Sequence, residues 1–227
     1  MPQVSVIRWV GGAGWLVLGG GGDFRRDETL EIDTQVLSRT VAHGPLVYLW
    51  SAGDADTAEA HIEYLAGLGG RTGYLLDLPT EHDPDSLKHL SEAGIIILGD
   101  GPQTDHLHGA LSNVGRDALQ EAYYNGATIY AQGRMARSLG AWMPGPLIGV
   151  QAGLGLLPGA LIYAPYIPEK HHAHLTNWLT DNIPQGIGLG IQPGNALALS
   201  GMGELETWGG DDITILLGKD LMPPETL

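Results

Sequence analysis

Ala127-Thr128-Ile129-Tyr130-Ala131-Gln132, followed at once by Gly133-Arg134-Met135-Ala136-Arg137, is the stretch on which the reading of this chain turns. The first six residues form a short apolar run with β-branched content, which predicts a buried strand. The next five predict the start of a helix. A strand that breaks abruptly into a helix is where many α/β hydrolytic enzymes present a nucleophile. The tip of this turn carries Arg134, a permanently charged guanidinium that donates hydrogen bonds and cannot attack a carbonyl.

Upstream of the turn, apolar strands alternate with helices. Trp15–Leu18 reads as a strand running into Gly19–Asp23, and Leu30–Val41 as a helix. Leu46–Trp50 is the next strand, and a helix with Ala58, Ile62, Leu65 and Leu68 on one face follows Asp54 and ends at Gly69-Gly70. Gly73–Leu76 and Ile95–Leu98 are strands, separated by a helix capped by Asp83 or Asp85. Arg116–Tyr124 is a helix stopped by Asn125-Gly126. This alternation predicts an α/β fold, a three-layer sandwich around a mostly parallel sheet. Ligands then bind beyond the carboxyl ends of the strands, so a site is expected from loops 19–23, 51–54, 99–104 and 133–137. Downstream, the spacing predicts a strand at Ala160–Tyr163 and a helix at 171–178. Two short strands flank the turn Gln192–Asn195, and strands at 205–208 and 213–217 are expected to close the sheet. One domain is expected over residues 1–221, with a loose tail at 222–227.

Composition narrows the function classes. The 227 residues carry 11 Lys and Arg against 26 Asp and Glu, a formal charge of −15. That balance argues against nucleic acid or an anionic membrane surface as partner. It also makes Arg134 and Arg137, four positions apart inclusive, conspicuous. There is no cysteine, which excludes thiolate catalysis and disulfides and fits a cytoplasmic protein. No signal peptide and no membrane span is expected. The glycine run 19–22 lacks the Lys-Ser/Thr ending of a phosphate loop, so no nucleotide cofactor is expected.

The order of the pieces resembles the cyanophycinase and dipeptidase E family of serine peptidases, over about Gly14 to Leu217. Leu16-Val17-Leu18-Gly19-Gly20-Gly21 looks like the family's first strand and glycine loop. Ile97–Gln103 is similar to the loop that helps form the oxyanion hole, and Gly153–Gly159 to the segment before the histidine strand. Gly188–Ile191 with Asn195–Leu197 resembles the segment that carries an acidic residue. The resemblance implies a flavodoxin-like, class I glutamine-amidotransferase-like fold. The departures fall on the chemistry. Arg134 takes the serine position, Pro165 the histidine position, and Gln192 or Pro193 the acidic position. All three catalytic roles are therefore vacant, and no catalytic residue is assigned.

Two functional expectations follow. The first is a non-catalytic homologue that binds a small anion, a carboxylate, at the former active site. Backbone donors at Gly101, Gln103, Gly133 and Met135 and the side chain of Arg134 would hold it. The second is an active hydrolase with a rearranged site. It would use Ser138, in the loosely elbow-like Ala136-Arg137-Ser138-Leu139-Gly140, or a metal held by His171, His172 and His174. Ser138 lies about a turn or more beyond the strained tip, and the histidines lack an obvious acidic ligand beyond Glu169. They read first as a solvated helix start, as His106 and His108 read as helix-surface residues. No metal is therefore assigned. A homodimer is a further expectation, with no residues assigned to its interface.

Overall fold

The computed structural model describes residues 6–145 and 149–221; the expected tail at 222–227 lies outside them. In chain order the elements are β1 (Trp15–Gly19), α1 (Leu30–Arg39), β2 (Leu46–Leu49), α2 (Ala55–Gly67), β3 (Gly73–Leu76), α3 (Pro84–Ser91), β4 (Ile95–Leu98), α4 (Thr104–Ser112), α5 (Arg116–Tyr124) and β5 (Thr128–Ala131). There follow β6 (Gly140–Pro144), β7 (Val150–Ala152), β8 (Leu157–Tyr163), α6 (Pro168–Asn182), β9 (Ile187–Ile191), β10 (Ala196–Ser200), β11 (Leu205–Trp208) and β12 (Ile213–Leu217). The segments Phe24–Arg26 and Gly133–Leu139 are 3-10 runs.

The strands form two sheets. The first has seven strands in the order β11-β10-β1-β5-β4-β2-β3, and the second has five, β12-β9-β8-β6-β7. In the first, β1, β5, β4, β2 and β3 run parallel, and β10 and β11 are added antiparallel at one edge. The expectation of a mostly parallel sheet between helices holds for this sheet. The late strands do not all close it, however. β11 joins its edge, while β12 pairs antiparallel with β9 in the second sheet.

Period-2 alternation sorts the central strands onto two faces. Leu16, Leu18, Val47, Leu49, Ile96, Leu98, Ile129 and Ala131 enter one core, with Leu90 of α3, Leu107 of α4 and Leu119 of α5. Their neighbours Val17, Leu46, Tyr48, Ile95, Ile97 and Tyr130 enter a second core, with Ile32 and Val36 of α1 and Ala58 and Leu65 of α2. Both faces are covered, so these strands are apolar at nearly every position, as a buried parallel sheet requires. The first core also contains Leu157, Ala160 and Ile162 of β8 and Leu189 and Ile191 of β9, so the second sheet packs into it. The far face of the second sheet is covered by Leu175 and Leu179 of α6, against Leu161 and Tyr163.

The strand order places a crevice. The connections after β1 and β2 lead to α1 and α2 on one face, whereas those after the adjoining β5 and β4 lead to the other. Loops that diverge from neighbouring carboxyl ends leave a gap between them, the usual position of a ligand in such sheets.

Candidate functional site

Gln132 leaves β5 extended, with φ −97° and ψ 138°. Gly133 then turns left-handed at φ +49°, a conformation that strains a side-chain-bearing residue. The segment continues as the 3-10 run rather than as the expected α-helix. A side chain at Gly133 would also collide with its neighbour, since a Cβ there would lie 2.3 Å from Oδ2 of Asp100. Asp100 projects from the end of β4. Its Oδ1 accepts the N–H of Arg134 at 2.9 Å and its own loop's Gly101 N–H at 2.8 Å.

Three of the four backbone donors expected to greet an anion, those of Gly101, Gln103 and Met135, are thus engaged internally. Gly101 and Arg134 donate to Asp100, Met135 N–H donates to Gln132 O at 2.9 Å, and Gln103 N–H donates to Ala52 O at 2.9 Å. Arg134 itself is exposed, as is Gln103, while Gly133 and Met135 are buried. What remains for an anion at this turn is the Gly133 N–H and side-chain charge. Arg137, half-buried, donates from Nε to Ala164 O at 2.6 Å, and its guanidinium lies 5.9 Å from the centre of the Tyr163 ring. Arg137 therefore ties the turn to the end of β8, next to Pro165. Burial lowers the Arg137 pKa, and the neighbouring Arg134 charge lowers it further, while Asp100 and Tyr163 oppose the shift. Neither arginine has a carboxylate within ion-pair distance among the described residues.

Positive charge continues onto the start of α6. His171 is held below the ordinary histidine range by burial first, then by Arg137, Lys170 and His174. The three histidines of this segment do not converge. Nδ1 of His171 accepts Ile167 N–H at 3.0 Å, Nδ1 of His172 faces Tyr166 Oη at 2.9 Å, and Nδ1 of His174 faces Tyr163 Oη. No group of three or more metal-ligating side chains occurs among the described residues. Ser138 is fully buried, and its hydroxyl donates to Met135 O at 2.6 Å. His106 is exposed. His108, read from sequence as a helix-surface residue, is instead half-buried, 3.4 Å from Ser112 Oγ.

On the other face of the crevice lies a cavity of about 340 Å³, lined by Phe24, Tyr48, His61, Asp100, Tyr130 and Gln132 among others. Behind it runs a buried polar chain. Thr29 Oγ1 donates to Asp33 Oδ2 at 2.6 Å, His61 Nε2 faces that same oxygen at 3.5 Å, Gln132 Nε2 faces His61 Nδ1 at 3.4 Å, and Tyr48 Oη donates to Gln132 Oε1 at 2.9 Å. With the Gln132 amide donating to Nδ1, the ring proton sits on Nε2 and points at Asp33. His61 stacks on Phe24 at 4.5 Å between ring centres. Sequence reasoning missed this chain. The available signal was polar residues inside an apolar period: His61 falls between Ala58 and Leu65 on α2, and Asp33 beside Ile32 and Val36 on α1.

Solved structures share this architecture. A peptidase from an acI-B1 Actinobacterium superposes with a TM-score of 0.65 over 91% of this chain and 91% of its own, at 19% identity. A protein from Listeria monocytogenes EGD-e, provisionally assigned as a peptidase E, gives 0.63 over 87% of this chain and 99% of its own, at 16% identity. The chain therefore has the peptidase E-like α/β fold. No protein-family model matches the sequence, and no curated protein matches it significantly. Among the described residues no helix is long and apolar enough to cross a membrane.

Proposed function

We propose that this protein is a non-hydrolytic relative of peptidase E-like enzymes that holds a small carboxylate with the side chains of Arg134 and Arg137. The observation that carries the reading is the state of the turn. Where a hydrolase sets a nucleophile and leaves N–H groups open for an oxyanion, this chain has Arg134 at the tip and the Asp100 carboxylate already seated on the backbone. The site in this reading differs from the one expected from sequence, because the backbone of Gly101, Gln103 and Met135 is spent on internal bonds. The Arg134 charge lowers the Arg137 pKa, a repulsion that an anion between the two guanidiniums would relieve, and Arg is suited to hold one bidentately.

Calorimetry with aspartate, succinate and an aspartyl dipeptide tests the reading, with hydrolysis of the dipeptide followed in the same samples. At least one carboxylate is expected to bind without turnover. Arg134→Ala and Arg137→Ala should each weaken it about tenfold or more, the scale of a lost charged hydrogen bond. NMR titration of His171 supplies a second readout: its pKa should rise in Arg137→Ala and in the presence of bound carboxylate, because both remove net positive charge beside it. Turnover of the dipeptide, or no binding by any of the three, overturns the reading.

A further inference from the structure

The cavity on the α1–α2 side of the crevice has an electrostatic character opposite to that of the arginine pair. Three carboxylates lie on its wall, from Asp23, Glu28 and Asp100, against the single guanidinium of Arg25. Two of the three are occupied in holding their own loop: Asp23 Oδ1 accepts Arg25 N–H at 3.1 Å, and Glu28 Oε2 accepts Asp23 N–H at 2.8 Å. Asp100 differs. Its Oδ1 takes two backbone donors, while its Oδ2 has no hydrogen-bond partner among the described residues. Behind the wall stands Asp33, wholly buried, with Oδ1 unpartnered and Oδ2 linked through Thr29 and His61 to the lining.

The field of these carboxylates registers on the lining itself. The Tyr48 hydroxyl is pushed far above the ordinary tyrosine range, by burial first and then by Asp33, Asp100 and Asp54. Tyr130 is pushed up by burial and by Asp33. Aromatic rings supply a second attraction for positive charge. The Phe24 ring already carries a cation, since the Arg25 guanidinium lies 4.7 Å from its centre. Arg25 is itself exposed and forms part of the cavity wall.

We infer that this cavity binds a small organic cation, a primary ammonium or guanidinium group, with the free Oδ2 of Asp100 as its acceptor and the rings of Phe24 and Tyr48 as its walls. This goes beyond the carboxylate reading and does not rest on it. The two sites share only Asp100, whose Oδ1 accepts the Arg134 N–H of the turn and which also lines the cavity.

The test is calorimetric titration of the full chain with ethylammonium, guanidinium and tetramethylammonium chlorides at constant ionic strength, with sodium acetate as control. Saturable binding of ethylammonium or guanidinium is expected, with Kd of about 1–10 mM for ligands of this size. Asp100→Asn is the informative variant. Its amide oxygen keeps the two backbone N–H bonds, while its NH₂ puts a donor where the free acceptor stood. Affinity should fall about tenfold or more, with melting unchanged. Arg134→Ala should leave amine binding as it was, which separates this result from the carboxylate test. If Asp100→Asn does not fold, Phe24→Leu serves in its place, with an expected loss of about threefold from the missing ring face. Absence of saturable amine binding, or amine binding undiminished in the variant, overturns the inference.

Discussion

A single carboxylate shapes the turn at residue scale. Asp100 Oδ1 gathers the N–H groups of Gly101 and Arg134, and the tight seat between Asp100 and Gly133 leaves no room for a methyl group. Gly133→Ala should destabilise the fold by about 1–3 kcal/mol, through the positive φ and through displacement of the carboxylate. Chemical denaturation of Gly133→Ala, Asp100→Ala and the double variant checks this. The double variant should cost less than the sum of the singles, since Asp100→Ala removes the atom that the new methyl strikes. A strictly additive cycle would mean that the two residues do not share this seat.

At the scale of elements, much of the fold was legible and much of the site was not. The helix at Arg116–Tyr124 and the strands at Gly73–Leu76 and Ile95–Leu98 stand where the periodicity put them, because each carries its own punctuation: Asn125-Gly126, Gly94, or an unbroken apolar run. The assignment of late strands to sheets was not legible. β12 and β11 have similar local patterns, and only long-range pairing with β9 or β10 separates them. The polar chain from Thr29 to Tyr48 was hidden for a related reason. Its members come from two helices and two strand ends, and no local motif joins them. Capping, by contrast, is local and predictable. Asp54 caps α2 by accepting Thr57 N–H at 2.8 Å, and these bonds from Thr57 lower its pKa. A carboxyl whose folded pKa is depressed stabilises above its unfolded pKa, and that contribution disappears as the pH falls through the folded value. Asp54→Ala should therefore cost about 1 kcal/mol at neutral pH and less in acid. Asp54→Asn should retain most of the cap while losing its pH dependence. Urea unfolding at pH 7 and pH 3 checks both; a cost for Asp54→Ala that is equal at the two pH values would refute the assignment.

At the scale of the whole molecule, the two sheets draw on one apolar core. Leu16 and Leu18 of β1 share it with Leu157 and Ile162 of β8. The sheets should accordingly unfold together as a single domain. Trp15 and Trp208, 5.5 Å apart between ring centres, report on the first sheet, and Trp142 and Trp178, 5.7 Å apart, on the second. Ile162→Ala should cost about 2–5 kcal/mol and lower the urea midpoint equally for fluorescence from either pair, read in variants that keep one pair at a time. Separate midpoints would show two independent units. The seat of Asp100 also limits what a serine at position 134 could do. A serine placed at position 134 would set a hydroxyl at the tip of a turn whose neighbouring donors, Gly101 N–H and Met135 N–H, are already committed to Asp100 and Gln132. Such a hydroxyl would find neither of these N–H groups free to stabilise an oxyanion. A turn organised around one carboxylate thus leaves little to be gained by changing its tip alone.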